Sequence, residues 1–414
     1  MIRPILFSAL LLGACAAQAA DTIRLGLSVP TTGRYKEQGQ EQSRGALMAI
    51  DQINATGGVL GKPLELLIAN TASKAEKAAD TIRELDGQGA VLMFGAASSD
   101  AALAASTEAA KLGRIFIGAM GYANNLTNED GNRYFFRETY NAHMAAKALS
   151  GYLNNQLQGK KLFYMTANYA WGWSTEESLR TYTATSNKDQ HPGVLVAYPR
   201  PRHSDFDNAL QQAKASGADV LVMIQFGEDM ATALEMATRM GLKEKMTIVV
   251  PNLTLPMAIA AGPEVMAGVI GAVPWYWEVP YQYDFAAGKA FVEAFVARYG
   301  EYPSSAAASA YSIVMQFRDA ASRAGSTDSD KLIRALEGHS YTGLKDTQVW
   351  RALDHQNQQS VYVVQGKSRD DVLKSPLHSG YFSILHAAGA ADVTLEPDAW
   401  KALRKAGGKS EKLN

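Results

Sequence analysis

The chain has 414 residues, 47% of them hydrophobic and 20% charged, the profile of a globular protein of about two domains. Lys+Arg 40 against Asp+Glu 41, with no Lys/Arg block, excludes a nucleic-acid partner, which would require a basic face. Cys15 is the single cysteine, so no disulfide framework forms within the chain, and ordinary cleavage of an N-terminal leader leaves a mature protein with no cysteine for thiol catalysis or metal sites.

Residues 1–20, MIRPILFSALLLGACAAQAA, read as a secretory signal peptide. The apolar run Ile5 to Leu12 falls far short of the roughly 20 residues that a bilayer span needs. Ala17-Gln18-Ala19 suits cleavage and release. Leu12-Gly13-Ala14-Cys15 resembles a lipobox with an unusual Gly13, so lipid anchoring through Cys15 is the alternative.

Ile23, Leu25, Leu27 and Val29 alternate with polar or small residues, the period of a strand, and Pro30-Thr31-Thr32-Gly33 is a loop at its end. Apolar positions at helical spacing predict a helix from Gln40 to Asn54, closed by Gly57-Gly58. A strand at Leu64 to Ala69, a helix at Ala75 to Leu85 and a strand from Val91 follow, and this rhythm predicts a doubly wound parallel sheet.

After Tyr134-Phe135-Phe136-Arg137 the rhythm restarts, with a crossover expected near Thr139 to His143. Helices are expected at Asn141–Leu157, Ser174–Thr183, Asp205–Ala215 and Asp229–Met240, alternating with strands at Leu162–Thr166, Val194–Tyr198, Val220–Phe226 and Ile248–Val250. Val269–Val273 and Val361–Val364 read as later strands, Phe285–Tyr299, Ser305–Ala324 and Lys331–Leu336 as helices. The Ala/Gly-rich, then basic tail from Ala387 reads as loosely held.

The stretch from Val91 to Thr127 carries the clearest ligand chemistry, two strand ends opening onto one cleft with a helix between them. Ser98, Ser99 and Asp100 stand where that helix begins, and unpaired N–H groups with the helix dipole favour an anion there. Spacing leaves open whether the serines hold a carboxylate or merely cap the helix.

The segments GRYKEQGQEQSRGALMAIDQINATGGVLGKPLELL, FGAASS, IFIGAMGYANNLT, YFFRET, DFDNALQQAKASGADVLVM and TQVWRALDHQ resemble the branched-chain amino-acid type of periplasmic binding protein, the solute receptor of ABC importers. The likeness runs from about Asp21 to Gly366, and INATGGVLGKPLEL is its most specific block. It implies two doubly wound α/β lobes joined by a three-segment hinge that closes on a ligand. Lobe one would be 21–140 plus 273–343, lobe two 141–272 plus 344–367, and 368–414 a C-terminal extension. It also implies a periplasmic monomer, with no cofactor and no metal, that is not an enzyme, with ABC permease membrane subunits as partners and a small-molecule solute.

Carried over residue by residue, Ser99 falls on the serine that holds the solute carboxylate in amino-acid binders, and Met120 and Tyr122 on the contacts of the next loop. Tyr122 departs from the family's threonine and reshapes that site. Asn252, in Pro251-Asn252-Leu253-Thr254, replaces the acid that meets the solute's ammonium group, and a neutral amide gives no charge-assisted bond. Glu228 or Asp229 could stand in for it, or could merely start a helix. Trp171-Gly172 occupies the family's tyrosine-glycine pair facing the cleft, and Tyr35 and Phe226 complete the expected ligand set with Ser98. Trp275 and Trp277 either stack on the solute or pack the hinge.

No G-x-S-x-G, H-E-x-x-H, Walker or G-x-G-x-x-G motif occurs, and seven scattered histidines lack metal spacing. The expected solute is a carboxylate, aromatic or amide-bearing, with branched-chain or aromatic amino acids as the alternative. A ligand-sensing receptor is the alternative of another class, and an exported hydrolase using Ser99 and His143 the remote one.

Overall fold

The computed structural model describes residues 21–413, and the expected signal segment with Cys15 lies outside them. The alternation at the start of that range forms β1 (Ile23–Val29), with Leu25, Leu27 and Val29 fully buried. It pairs with β2 (Leu64–Asn70) and β3 (Ala90–Gly95), and β4 (Phe116–Gly118) and β5 (Phe135–Arg137) follow. The order β2-β1-β3-β4-β5 is parallel throughout. Parallel neighbours need crossovers, supplied by α1 (Lys36–Ala55), α2 (Ala75–Gly87) and α3 (Ser99–Lys111).

The second lobe repeats the plan. Its strands are β6 (Leu162–Ala167), β7 (Gly193–Val196), β8 (Val220–Ile224), β9 (Thr247–Val250) and β10 (Ile270–Val273), all parallel. Helices α4 (Ala142–Gln156), α5 (Ala170–Tyr182), α6 (His203–Ala215) and α7 (Glu228–Arg239) cross between them or lead into them. The chain then returns to lobe one, where helix Ser305–Ala324 packs on α1. A Cβ at Gly45 would lie 2.0 Å from the Ala307 carbonyl oxygen, so that approach requires glycine.

A small antiparallel sheet, β11 (Ser340–Thr342), β12 (Thr347–Trp350) and β13 (Asn357–Gln358), leads back to lobe two. There β14 (Val361–Gly366) and β15 (Phe382–Ala388) add antiparallel strands, giving β15-β14-β10-β9-β8-β6-β7.

The three connections between the lobes meet at Lys345. Its Nζ donates to Pro274 O at 2.6 Å, Gln359 Oε1 at 2.8 Å and Ser360 O at 2.9 Å, while Gln359 Nε2 donates to the Glu138 carbonyl oxygen. The Glu138 carboxylate accepts from Ser309 Oγ. Burial pushes the Glu138 carboxyl up and the Lys345 ammonium down, since each charged form loses water.

The tail corrects the expectation of a loosely held end. After β15, Arg351 Nη1 donates to Leu395 O at 2.6 Å, and helix Pro397–Ala406 docks on lobe one. Trp400 is fully buried there, its Nε1 donating to Thr127 O at 2.8 Å. Arg404 Nη1 donates to Asn128 O at 2.7 Å and Gly131 O at 3.0 Å. The extension therefore ties the lobe-two sheet to a lobe-one loop.

Candidate functional site

The carboxyl ends of both parallel sheets face each other across one cleft, where loops and helix starts from the two lobes converge. On the lobe-one side, α3 begins at Ser99. Ser98 is its N-cap, with Oγ accepting from Ala101 N at 3.3 Å, so the capping reading holds for this residue. Ser99 does something else. Its buried Oγ accepts from the backbone N–H groups of Tyr122 and Ala123, both at 3.1 Å, which leaves its own hydrogen to donate.

The loop carrying Met120 and Tyr122 is held from behind by Arg137, which is fully buried at the end of β5. Its Nη1 donates to Gly121 O at 3.1 Å and Ala123 O at 2.6 Å, and its Nε to Gln356 Oε1 at 2.7 Å. Loss of water pushes the guanidinium down to about 9. Arg137 is thus a support for the crossover and turns away from a solute role. Met120 is buried in the same core.

On the lobe-two side the helix expected from Ser174 starts at Ala170, so Trp171 lies in its first turn and not in a loop. Trp171 is buried, whereas Trp173 is half exposed. Phe226 is the meeting point of the two lobes. Its ring centroid lies 6.1 Å from Tyr35 and 6.0 Å from Tyr122 in lobe one, and 6.0 Å from Trp171 in lobe two. Tyr122 in turn lies 5.3 Å from Tyr140 at the crossover. Gly227, at φ 63°, lets α7 begin beneath Tyr35, where a Cβ would touch that ring at 3.5 Å. The lobes are therefore closed on each other, with Tyr35, Tyr122, Trp171 and Phe226 brought together as expected.

Asn252 follows β9 and is buried, yet neither Nδ2 nor Oδ1 has a hydrogen-bond partner. The Tyr122 hydroxyl is its neighbour. Burial pushes that phenol far above its ordinary value, and the amide lies near enough to oppose the rise, although neither amide atom completes a hydrogen bond with protein.

Of the two acids offered as substitutes for the missing carboxylate, Asp229 is already engaged and Glu228 is exposed. Asp229 is half-buried and accepts from Nη2 of Arg34, which reaches over from lobe one. Burial pushes the Asp229 carboxyl up to about 6 even with this partner. Glu228 adjoins it in the first turn of α7.

Trp277 packs the structure, and Trp275 lies at the interlobe connections with its buried Nε1 lacking a hydrogen-bond partner. Trp275 meets Phe291 edge-on at 5.8 Å, and Trp277 stacks on Tyr302 at 3.7 Å with its Nε1 donating to Ser379 O at 3.1 Å. His143 does not reach Ser99, and its Nδ1 is 3.0 Å from the Tyr182 hydroxyl. His355 is structural, stacked on Phe136 at 3.8 Å.

Two residues that sequence reasoning passed over, Arg34 and Tyr198, help to form the cleft's mouth. Tyr169 and Tyr198 stack at 3.7 Å, and with Arg34, Ser98, Asp100 and Trp173 they border an open cavity of about 870 Å³. Another concavity, about 520 Å³ and lined by Lys160, Lys243 and Lys245, lies at the opposite ends of the lobe-two strands, away from this convergence.

Two parallel α/β lobes, three connections and a closed aromatic seam define a hinged solute receptor. The chain belongs to the periplasmic binding protein family, whose model matches residues 22–371, a family of binding proteins and not of enzymes. It is similar to the leucine-, isoleucine-, valine-, threonine- and alanine-binding protein of Pseudomonas aeruginosa, at 24% identity over 81% of this chain and 88% of that one. Among solved structures it is similar to the amino acid ABC transporter substrate-binding protein of Pseudomonas fluorescens Pf-5, with TM-score 0.82, 25% identity and coverage of 95% of this chain and 100% of that one. It shares its fold with a solute-binding protein of Rhodopseudomonas palustris BisB5 solved with 3,4-dihydroxybenzoic acid, with TM-score 0.75, 18% identity and coverage of 89% and 98%.

Proposed function

We propose that this protein captures a small carboxylate solute lacking an ammonium group and hands it to the membrane subunits of an ABC permease. Asn252 carries the reading, a buried amide with both polar atoms unpaired where an amino-acid receptor needs an anion. Leaving a buried donor and acceptor unmet costs about 1–3 kcal/mol each, and a solute that meets them recovers that cost. Asp229 is engaged by Arg34 and Glu228 is exposed at the start of α7, which leaves Asn252 as the buried polar group at this place.

Ser99 O–H would donate to the solute carboxylate at the start of α3, and Tyr35, Tyr122, Trp171 and Phe226 would enclose an apolar or flat body. Asn252 would pair with a hydroxyl or amide at the solute's other end, one tyrosine's length away along Tyr122. An aromatic carboxylate is what the Rhodopseudomonas palustris protein of the same fold holds. The amino-acid alternative is favoured by the names of the relatives above and opposed by Asn252. The lobe limits proposed are 21–140 plus 273–343 and 141–272 plus 344–367.

A thermal-shift screen of the exported chain against amino acids, aromatic carboxylates and short amides tests the reading. A true solute at about 100 times its dissociation constant adds roughly 2.7 kcal/mol of stability. Stabilisation by leucine or phenylalanine, with none by carboxylates lacking an amino group, would sink it.

A further inference from the structure

Arg34 sits in the loop after β1, at the start of the family-like GRYKEQ segment but with no role carried over from the family, and its guanidinium is divided between two tasks. Nη2 donates to Asp229 across the cleft, whereas Nη1 is buried and has no hydrogen-bond partner. The guanidinium carbon lies 5.4 Å from the Tyr35 ring centroid and 5.9 Å from that of Tyr198, so rings from both lobes flank it. It borders the mouth cavity beside Ser98, whose neighbour Ser99 starts α3.

We infer that Arg34 clasps the closed lobes through Nη2 and Asp229 while its Nη1 reads the anionic group of the solute. The inference rests on the carboxylate reading above. A guanidinium is a rigid planar fork, so fixing one nitrogen fixes the direction of the other. Asp229 belongs to lobe two, hence that direction exists only when the lobes are shut. An anion at Nη1 is then bound better by the closed form than by the open one, the requirement for a solute to drive closure. Asp100 borders the same mouth and opposes an anion there. Burial pushes its carboxyl up with no cation to offset the rise, and Arg34 has to outweigh it.

The test compares the full exported chain with Arg34→Gln, Arg34→Lys, Asp229→Asn and Ser99→Ala, after circular dichroism shows each is folded. Benzoate and benzamide serve as probes, equal in shape and different in charge, with titration calorimetry as readout and small-angle scattering of the ligand-free proteins beside it. The expected result is a loss of about ten- to a hundredfold in benzoate affinity for Arg34→Gln, with benzamide losing only the smaller factor that loss of the clasp in Asp229→Asn also costs it. Arg34→Lys should recover part of the benzoate affinity, and Arg34→Gln and Asp229→Asn should both scatter as more open ligand-free forms. Equal losses for both probes would overturn the anion-reading role, and unchanged scattering in both variants would overturn the clasp. Benzoate weakened by Ser99→Ala but not by Arg34→Gln would overturn the inference and leave the carboxylate reading standing. Failure of benzoate to bind the unaltered protein would overturn both.

Discussion

Replacing Trp400 by alanine probes whether the C-terminal extension is part of the fold or an ornament on it. The indole is fully buried against lobe one, and its Nε1 satisfies Thr127 O at 2.8 Å. Truncating a buried tryptophan costs about 3–5 kcal/mol, and an orphaned carbonyl adds to this. The helix is peripheral, however, so the protein can release it locally instead of unfolding, and the tail's own docking energy caps the loss. Hydrogen exchange read by mass spectrometry separates the cases. A cost of about 3 kcal/mol should speed exchange across residues 397–406 by roughly a hundredfold or more, while β14 and β15 keep their protection. Unchanged exchange in that helix would refute the docking described here. Acceleration spread evenly over the lobe-two sheet would refute its being a separable element.

Ser99→Ala should weaken carboxylate solutes by about 1.5–3 kcal/mol, measured by calorimetry, because it removes a donor to a charged group. Unchanged affinity would move the carboxylate elsewhere. Asn252→Asp should shift preference toward cationic or zwitterionic solutes, and a thermal-shift panel showing no gain for amino acids would mean that this loop does not meet the ammonium end. His143 is held down to about 4 by burial first, then by Lys147 and Arg351. Its folded value is below the ordinary 6.5, so the unfolded chain binds the extra proton and stability falls as pH drops from about 6.5 to about 4. His143→Gln should flatten that fall by about 2 kcal/mol in urea titrations at pH 7 and pH 4.5, and an unchanged pH dependence would refute the assignment.

The elements that sequence read well are those whose signals are local. Alternation marked β1, and Ser98 marked a helix start because its side chain accepts a nearby N–H, as it does in the structure. The start of α5 was misplaced because its N-cap is Tyr169, which makes no side-chain cap bond and gives no signal. The tail was misread because β15 alternates poorly and its hold on lobe one depends on two side chains, Trp400 and Arg404, reaching a loop more than 270 residues earlier. In the candidate site, the positions of the aromatics and Ser99 were legible from strand ends, and the family resemblance favoured holding over capping for Ser99. Arg34 was not, since a lone arginine in a Gly-containing loop reads as solvated until its partner Asp229, distant in sequence, is placed beside it.

The tail turns a three-pinned hinge into a four-pinned one. Residues 389–396 join a strand fixed to lobe two with a helix fixed to lobe one, and Arg351 holds their far end. Three segments side by side permit bending and some rotation about the long axis. A fourth fastening, set apart from them, resists rotation and leaves bending. The lobes should then swing as a book opens, with little twist, and a receptor that explores fewer open shapes surrenders less disorder when it shuts on its solute.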